Sequence, residues 1–272
     1  AGTLMLLEPD EKRRVKGLII NKFRGDKTIL DPGIEMLKKY TDIPFVGVVP
    51  YMNIDLDDED SLSSRLDPRA VSESVIPGDD DMHGIIDIAV IKLPRLSNFT
   101  DFNALARLRG VTVRYVDNVM KLKDPDLIII PGTKNTISDL KWLRMSGLET
   151  MILRKHAEGG LIMGICGGYQ MLGQEISDPE NAEGGGRIRG IGLLPIMTEF
   201  SKEKVRLRTV NETGTIEGPF DSLSGIRVEG YEIHMGKTFS IYDRSEINTL
   251  LYASGNVCGS FLHGLFDTGQ MQ

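Results

Sequence analysis

The sequence predicts an α/β protein: a doubly wound, mostly parallel sheet with flanking helices over residues 84–272. Three observations lead there. From Ile85 onward, short apolar runs alternate with segments of helical length, the pattern of parallel strands joined by crossover helices. Gly160-Leu161-Ile162-Met163 runs into Gly164-Ile165-Cys166-Gly167-Gly168 and then into the helix-like Tyr169-Gln170-Met171-Leu172, so a strand, a glycine-crowded turn and a helix follow one another. After Gly190 the chain becomes strand-rich.

Taken in order, Gly2–Leu7 reads as the end of a helix. Val15–Asn21 reads as a buried strand and Phe45–Val49 as another. Between them Asp31-Pro32 supplies an N-cap and N1 pair for an amphipathic helix over Pro32–Tyr40. Strand, helix, strand is a parallel-sheet unit, but two or three strands with one helix bury too little to stand alone, so residues 1–55 read as a fragment. Residues 56–83 read as an acidic linker, with a short helix around Pro68–Ser74. The DLDDED and PGDDD runs there are read as solvated, with divalent-cation binding the alternative. Next come strands at Ile85–Leu93, Val111–Val116, Asp126–Ile130 and Leu161–Ile165, and helices at Phe99–Leu108, Ile137–Arg144 and Glu149–Glu158. Gly184-Gly185-Gly186 reads as a flexible loop, since it lacks the strand and helix that flank a dinucleotide fingerprint. There are no internal repeats.

Composition excludes several classes. The 272 residues are 40% hydrophobic and 26% charged, as in soluble globular proteins. A net charge of −7 without a Lys/Arg stripe argues against nucleic acid. No apolar run approaches the ~20 residues that span a bilayer. Two cysteines make no disulfide framework, and with no export signal the expected location is the cytoplasm. There is no CxxC or HExxH, so no metal site is expected.

The 160–172 segment is a nucleophile elbow. Its glycines allow a turn too sharp for residues with a Cβ, which lifts the Cys166 sulfur clear of the sheet and leaves it at a helix N-terminus. A thiol nucleophile needs a base. His263 lies 97 residues further on, in an apolar run ending His-Gly, which presents an imidazole at a strand terminus. Pro131-Gly132-Thr133 also ends an apolar strand. Backbone N–H groups of Gly132 and Gly167 are the candidates for an oxyanion hole. Cys258 reads as a small core residue, and His156 and His83 as surface residues of a helix and of the linker.

PGTKNT, GICGGYQMLG, VEGYEIHMG and FLHGLFD, in this order, resemble the glutamine amidotransferase domain of cobyric acid synthases. These belong to the class I, Cys-dependent lineage of cobalamin biosynthesis. INKFRGD near the start resembles the closing part of that family's P-loop-type, ATP-dependent synthetase domain. The resemblance covers essentially the whole chain. It implies that Cys166 attacks the side-chain amide of glutamine and His263 serves as base, with Gly132 and Gly167 at the oxyanion positions. Glutamate leaves through a thioester, and the ammonia amidates four side-chain carboxylates of a corrinoid, adenosylcobyrinic acid a,c-diamide. Cobyrinic acid a,c-diamide synthases and amidotransferases of cell-wall precursors share the plan. A non-catalytic binding domain of the same fold is the alternative from another class.

Two departures matter. Many class I enzymes carry His-x-Glu, whereas residue 265 is Leu, as the resembled branch has it. The orienter of His263 is then open, with Asp267 and Glu232 as candidates. There is also no GxxxxGK[ST] phosphate loop, so the chain is expected to be an N-terminally truncated piece. ATP and Mg are implied for the full-length enzyme and none is expected on this piece, although Asn21 sits where related folds read adenine. Glu232 and His234, at i and i+2 on a strand, face one side; they line the glutamine pocket, line the ammonia exit, or form a structural pair.

Overall fold

The computed structural model describes residues 2–51 and 86–272. The acidic linker at 56–83, the Pro68–Ser74 helix and His83 lie outside the described residues. The chain divides into two compact units, Ala1–Leu56 and Asp57–Gln272.

The first unit runs through α1 (Gly2–Met5), α2 (Pro9–Arg14), β1 (Leu18–Phe23), α3 (Lys27–Leu37) and β2 (Phe45–Pro50). β1 and β2 pair in parallel, Leu18 opposite Phe45 and Ile20 opposite Val48. The strand starts later than the Val15–Asn21 reading. The helix starts five residues earlier than Asp31-Pro32 suggests. Asp26 is its cap, accepting from the Thr28 N–H at 2.9 Å, and Pro32 lies inside the helix. A side-chain cap that closes the first turn outweighs the positional preference of proline. Ile19, Ile29, Tyr40 and Val46 are exposed, so this unit has little core of its own.

The second unit contains two sheets. One has six strands: β3 (Ile86–Ile91), β4 (Val111–Val116), β5 (Leu127–Ile130), β6 (Leu161–Ile165), β11 (Tyr252–Ser254) and β12 (Val257–Ser260), in the order β11-β12-β6-β5-β3-β4. Every pair is parallel except β11 with β12. Ile88–Ile91, Ile128–Ile130 and Ile162 are buried because crossover segments cover both faces. These segments are α4 (Asn103–Ala106), α5 (Val119–Leu122), α6 (Thr136–Met145), α7 (Leu148–Ala157) and α8 (Gly167–Leu172). The helix read over Phe99–Leu108 is a 3-10 turn at Phe99–Phe102 followed by the single turn of α4.

The sequence does not mark the second sheet as separate. It joins β13 (Leu262–His263), β10 (Arg227–Ser240), β9 (Ile196–Glu212), β7 (Glu175–Asp178) and β8 (Gly186–Arg189), antiparallel apart from β7 with β9. The Gly184–Gly186 loop is tied down rather than flexible. Asp178 accepts from the N–H groups of Ala182, Glu183 and Gly185 at 2.7 to 2.8 Å, and the glycines supply the positive φ this turn needs.

Chain order reverses across β3, which lies between β4 and β5, so the crevice beyond the carboxyl ends of β3 and β5 is a topological switch point. There α8 approaches β5 so closely that a Cβ on Gly168 would lie 1.9 Å from the Ile130 carbonyl oxygen and 2.9 Å from that of Pro131. Backbone atoms cannot swing aside. Gly168→Ala should therefore cost about 3 kcal/mol or more. Thermal unfolding checks this, and a midpoint within about 2 °C of wild type would disprove the close approach.

Candidate active site

Four loops deliver the site. Cys166 follows β6 in a backbone conformation rare outside glycine, φ 50° and ψ −109°. A Cβ on Gly164 would lie 2.6 Å from the Tyr169 amide nitrogen, so the elbow closes only around glycine. The Cys166 N–H donates to the Ser260 carbonyl at 2.7 Å, tying the elbow to β12. β12 in turn leads into β13 and His263. The Cys166 sulfur lies 3.5 Å from the Ile233 carbonyl oxygen of β10 and within hydrogen-bonding reach of the His263 ring.

His263 is 2% exposed. Its Nδ1 meets Asp101 Oδ2 at 2.7 Å, while Asp101 Oδ1 accepts from the Gly264 N–H at 3.1 Å. One carboxylate thus holds both the ring and the backbone beside it, leaving Nε2 for the sulfur. The Tyr231 ring stacks on the imidazole, centroids 5.4 Å apart, and the Tyr231 hydroxyl accepts from Asn98 Nδ2 at 3.0 Å. A Cβ on Gly132 would stand 3.1 Å from His263 Cε1, so glycine makes room for the ring. Burial opposes charge on His263, but Asp101 and Cys166 more than offset it and raise its pKa to about 10.

The residue that orients the imidazole is thus Asp101, not Asp267 or Glu232. Glu232 is engaged elsewhere: Oε2 lies 3.7 Å from His234 Nε2, and Oε1 accepts from the Thr209 hydroxyl at 3.1 Å. His234 chiefly, then Thr209, holds the Glu232 carboxyl below the usual range against burial. The His234 ring stacks on Phe261 at 3.9 Å, and its Nδ1 lies 3.2 Å from the Gly236 carbonyl. Asp267 sits in the turn after Gly264, its N–H donating to the Gly264 carbonyl at 3.0 Å. Cys258 is fully buried, which pushes its thiol pKa up. Gly167 opens α8, where the first N–H groups have no acceptor within the helix, and it abuts Thr133.

A pocket of about 300 Å³ opens onto the sulfur, and Gln170, Glu183, Lys134, Lys204 and His234 line it along with Cys166 and His263. Gln170 Nε2 donates to the Met235 carbonyl at 3.0 Å, and Glu183 Oε2 accepts from the Ile137 N–H at 3.1 Å. Burial raises the Glu183 pKa, and the Ile137 and Thr136 hydrogen bonds only partly counter it. Asn21 belongs to the other unit, where its exposed side chain accepts from the Lys22 N–H at 2.9 Å. The sequence holds no glycine-rich phosphate loop to go with it.

A thiol at a strained elbow, an imidazole fixed by a buried carboxylate and a pocket with both signs of charge describe acyl transfer from an amide. A family profile described as the CobB/CobQ-like glutamine amidotransferase domain matches residues 87–271. The chain belongs to that family. Among the relatives it matches is a protein of Ruminiclostridium cellulolyticum named cobyric acid synthase. It is 48% identical over 283 residues, covering 99% of this chain and 53% of that protein. Namesakes from Lachnoclostridium phytofermentans and Salmonella arizonae are 47% and 44% identical, over 98% of this chain and 54% and 53% of theirs. The chain spans about half the length of the curated relatives it matches. Among the described residues no helix is long and apolar enough to cross a membrane.

Asp101 escaped the sequence reading because Phe99-Thr100-Asp101-Phe102 looks like an ordinary helix start. Its one signal is position, a carboxylate in the crossover that follows β3, ten residues past the strand's carboxyl end. Nothing in the sequence singles out Gln170 or Glu183 either. Gln170 lies four residues after Cys166, which precedes α8, and its N–H donates to the Cys166 carbonyl at 3.1 Å.

Proposed function

We propose that this chain is the glutaminase half of a cobyric acid synthase. The observation that carries the reading is the Cys166–His263–Asp101 constellation facing a pocket of glutamine's polarity. The substrate carboxamide lies between the Cys166 sulfur and the Gly132 and Gly167 N–H groups. Its α-ammonium points to Glu183 and Gln170, and its α-carboxylate to the lysine side of the pocket. The thiolate attacks the carboxamide carbon, and the oxygen becomes an oxyanion facing those N–H groups. The C–N bond breaks as imidazolium gives its proton to the leaving nitrogen, so ammonia departs and a γ-glutamyl thioester remains. Water then adds, His263 takes its proton, and the C–S bond breaks to release glutamate. The ammonia serves ATP-dependent amidation of corrinoid carboxylates at a synthetase site. The 42–48% identity to proteins named cobyric acid synthase supports that acceptor.

Glutamate and ammonia should appear in equal amounts from glutamine, and a diazoketone analogue of glutamine should alkylate Cys166 and spare Cys258. Equal labelling of both cysteines would count against the reading. Glu183→Gln should raise the KM for glutamine about 10-fold, the loss of one charge-assisted contact, with kcat within about threefold. An unchanged KM would remove Glu183 from substrate recognition.

A further inference from the structure

Asp139 is a fully buried carboxylate on α6 that does not line the pocket. Its Oδ2 accepts from the Thr133 hydroxyl at 2.6 Å and from the Arg95 N–H at 3.0 Å, while Oδ1 meets Arg95 Nη1 at 3.0 Å. These contacts close one end of a short antiparallel clasp. The Lys134 N–H donates to the Arg95 carbonyl at 2.9 Å, the Ser97 N–H donates to the Gly132 carbonyl at 2.9 Å, and Leu96 bridges to Thr133. One strand of the clasp runs on to Asp101, the partner of His263. The other is the Gly132–Thr133 segment, which lies directly against Gly167: a Cβ there would stand 2.7 Å from Thr133 Cγ2 and 3.3 Å from the Thr133 nitrogen.

We infer that Asp139 is a positioning residue for the oxyanion hole, setting the Gly132–Thr133 backbone against Gly167 so that both N–H groups converge on one point. Removing a carboxylate from water is costly even beside the half-exposed Arg95 side chain, and a turn can be held with cheaper groups. What a buried carboxylate with three fixed donors provides is geometry, and oxyanion donors act only within a few tenths of an ångström of the right place.

The inference rests on the glutaminase reading, and its test separates the two. Asp139→Asn keeps the shape of the side chain and removes its charge. Thr133→Val removes the donor and is the variant that decides if Asp139→Asn does not fold. Glutamate release and alkylation of Cys166 by iodoacetamide are measured side by side. Alkylation is displacement of iodide at a saturated carbon and develops no oxyanion, so it reads the sulfur and imidazole alone. We expect kcat for glutamine to fall about 10- to 100-fold with KM within about twofold. The alkylation rate and its pH profile should stay at wild-type values. An unchanged kcat, or alkylation falling in step with kcat, would overturn the inference. Wild-type protein that releases no glutamate would instead sink the glutaminase reading, and the inference with it.

Discussion

Cys166→Ser should lower glutamate release by about four orders of magnitude or more, to background. The variant keeps the elbow, the glycines and the base. It replaces sulfur, a strong nucleophile as thiolate, with a hydroxyl that a single imidazole must deprotonate during attack. No other group can take over. Cys258 lies in the sheet with no exposed surface, and its thiol is held protonated by burial. Glutamine should bind within about twofold of its wild-type affinity, because Gln170, Glu183 and the backbone around the pocket are unaltered. The wild-type protein, quenched during turnover, should carry a γ-glutamyl group on Cys166 that the variant lacks. Release above about 1% of the wild-type rate would place the nucleophile elsewhere. Loss of binding along with release would mean that the substitution had disturbed the elbow rather than the chemistry.

The elbow was legible because its demands are local. Gly164, Gly167 and Gly168 are needed within a few residues of Cys166, and three glycines around one thiol at a strand end leave few other readings. The parallel sheet was legible for a similar reason: Ile88–Ile91 and Ile128–Ile130 are apolar on both faces and can only be interior strands. Long-range choices were hidden. Asp101 meets His263 across 162 residues, and nothing in the composition around either marks the other. The tie from Asp178 to the loop at 182–185 is short in sequence but depends on glycines at positive φ, a pattern that reads equally well as a flexible linker. Asp31-Pro32 and Asp26 are both good start signals for α3, and only the Thr28 contacts choose between them. The second sheet needed the pairing of β9 with β10, whose register spans Arg227 with Glu212 to Ser240 with Ile196 and is visible only once the hairpin is closed.

Asp101→Asn should reduce kcat about 10²- to 10⁴-fold while leaving the KM for glutamine nearly unchanged, since Asp101 touches the imidazole and not the substrate. The amide can hydrogen-bond to His263, but it can equally turn its NH2 towards Nδ1. That forces the proton onto Nε2, where it faces the sulfur as a neutral donor. The pH dependence gives a second readout with a definite sign. In the wild type the folded pKa of His263 is raised to about 10, so imidazolium persists through neutral pH and is lost only as pH rises through that value. With the carboxylate gone, burial acts with less opposition and pushes the pKa down. The upper limb of the pH–rate profile, which belongs to the Cys166–His263 pair, should move to lower pH. Stability follows the same linkage. A raised folded pKa contributes stability that is fully present below the unfolded value of 6.5 and disappears as pH climbs towards 10. The gap in unfolding free energy between wild type and variant should therefore be widest at the acid end of that window and narrow towards its alkaline end. A gap constant with pH, or an upper limb that stays in place, would show that Asp101 anchors the Gly264 backbone without tuning the imidazole.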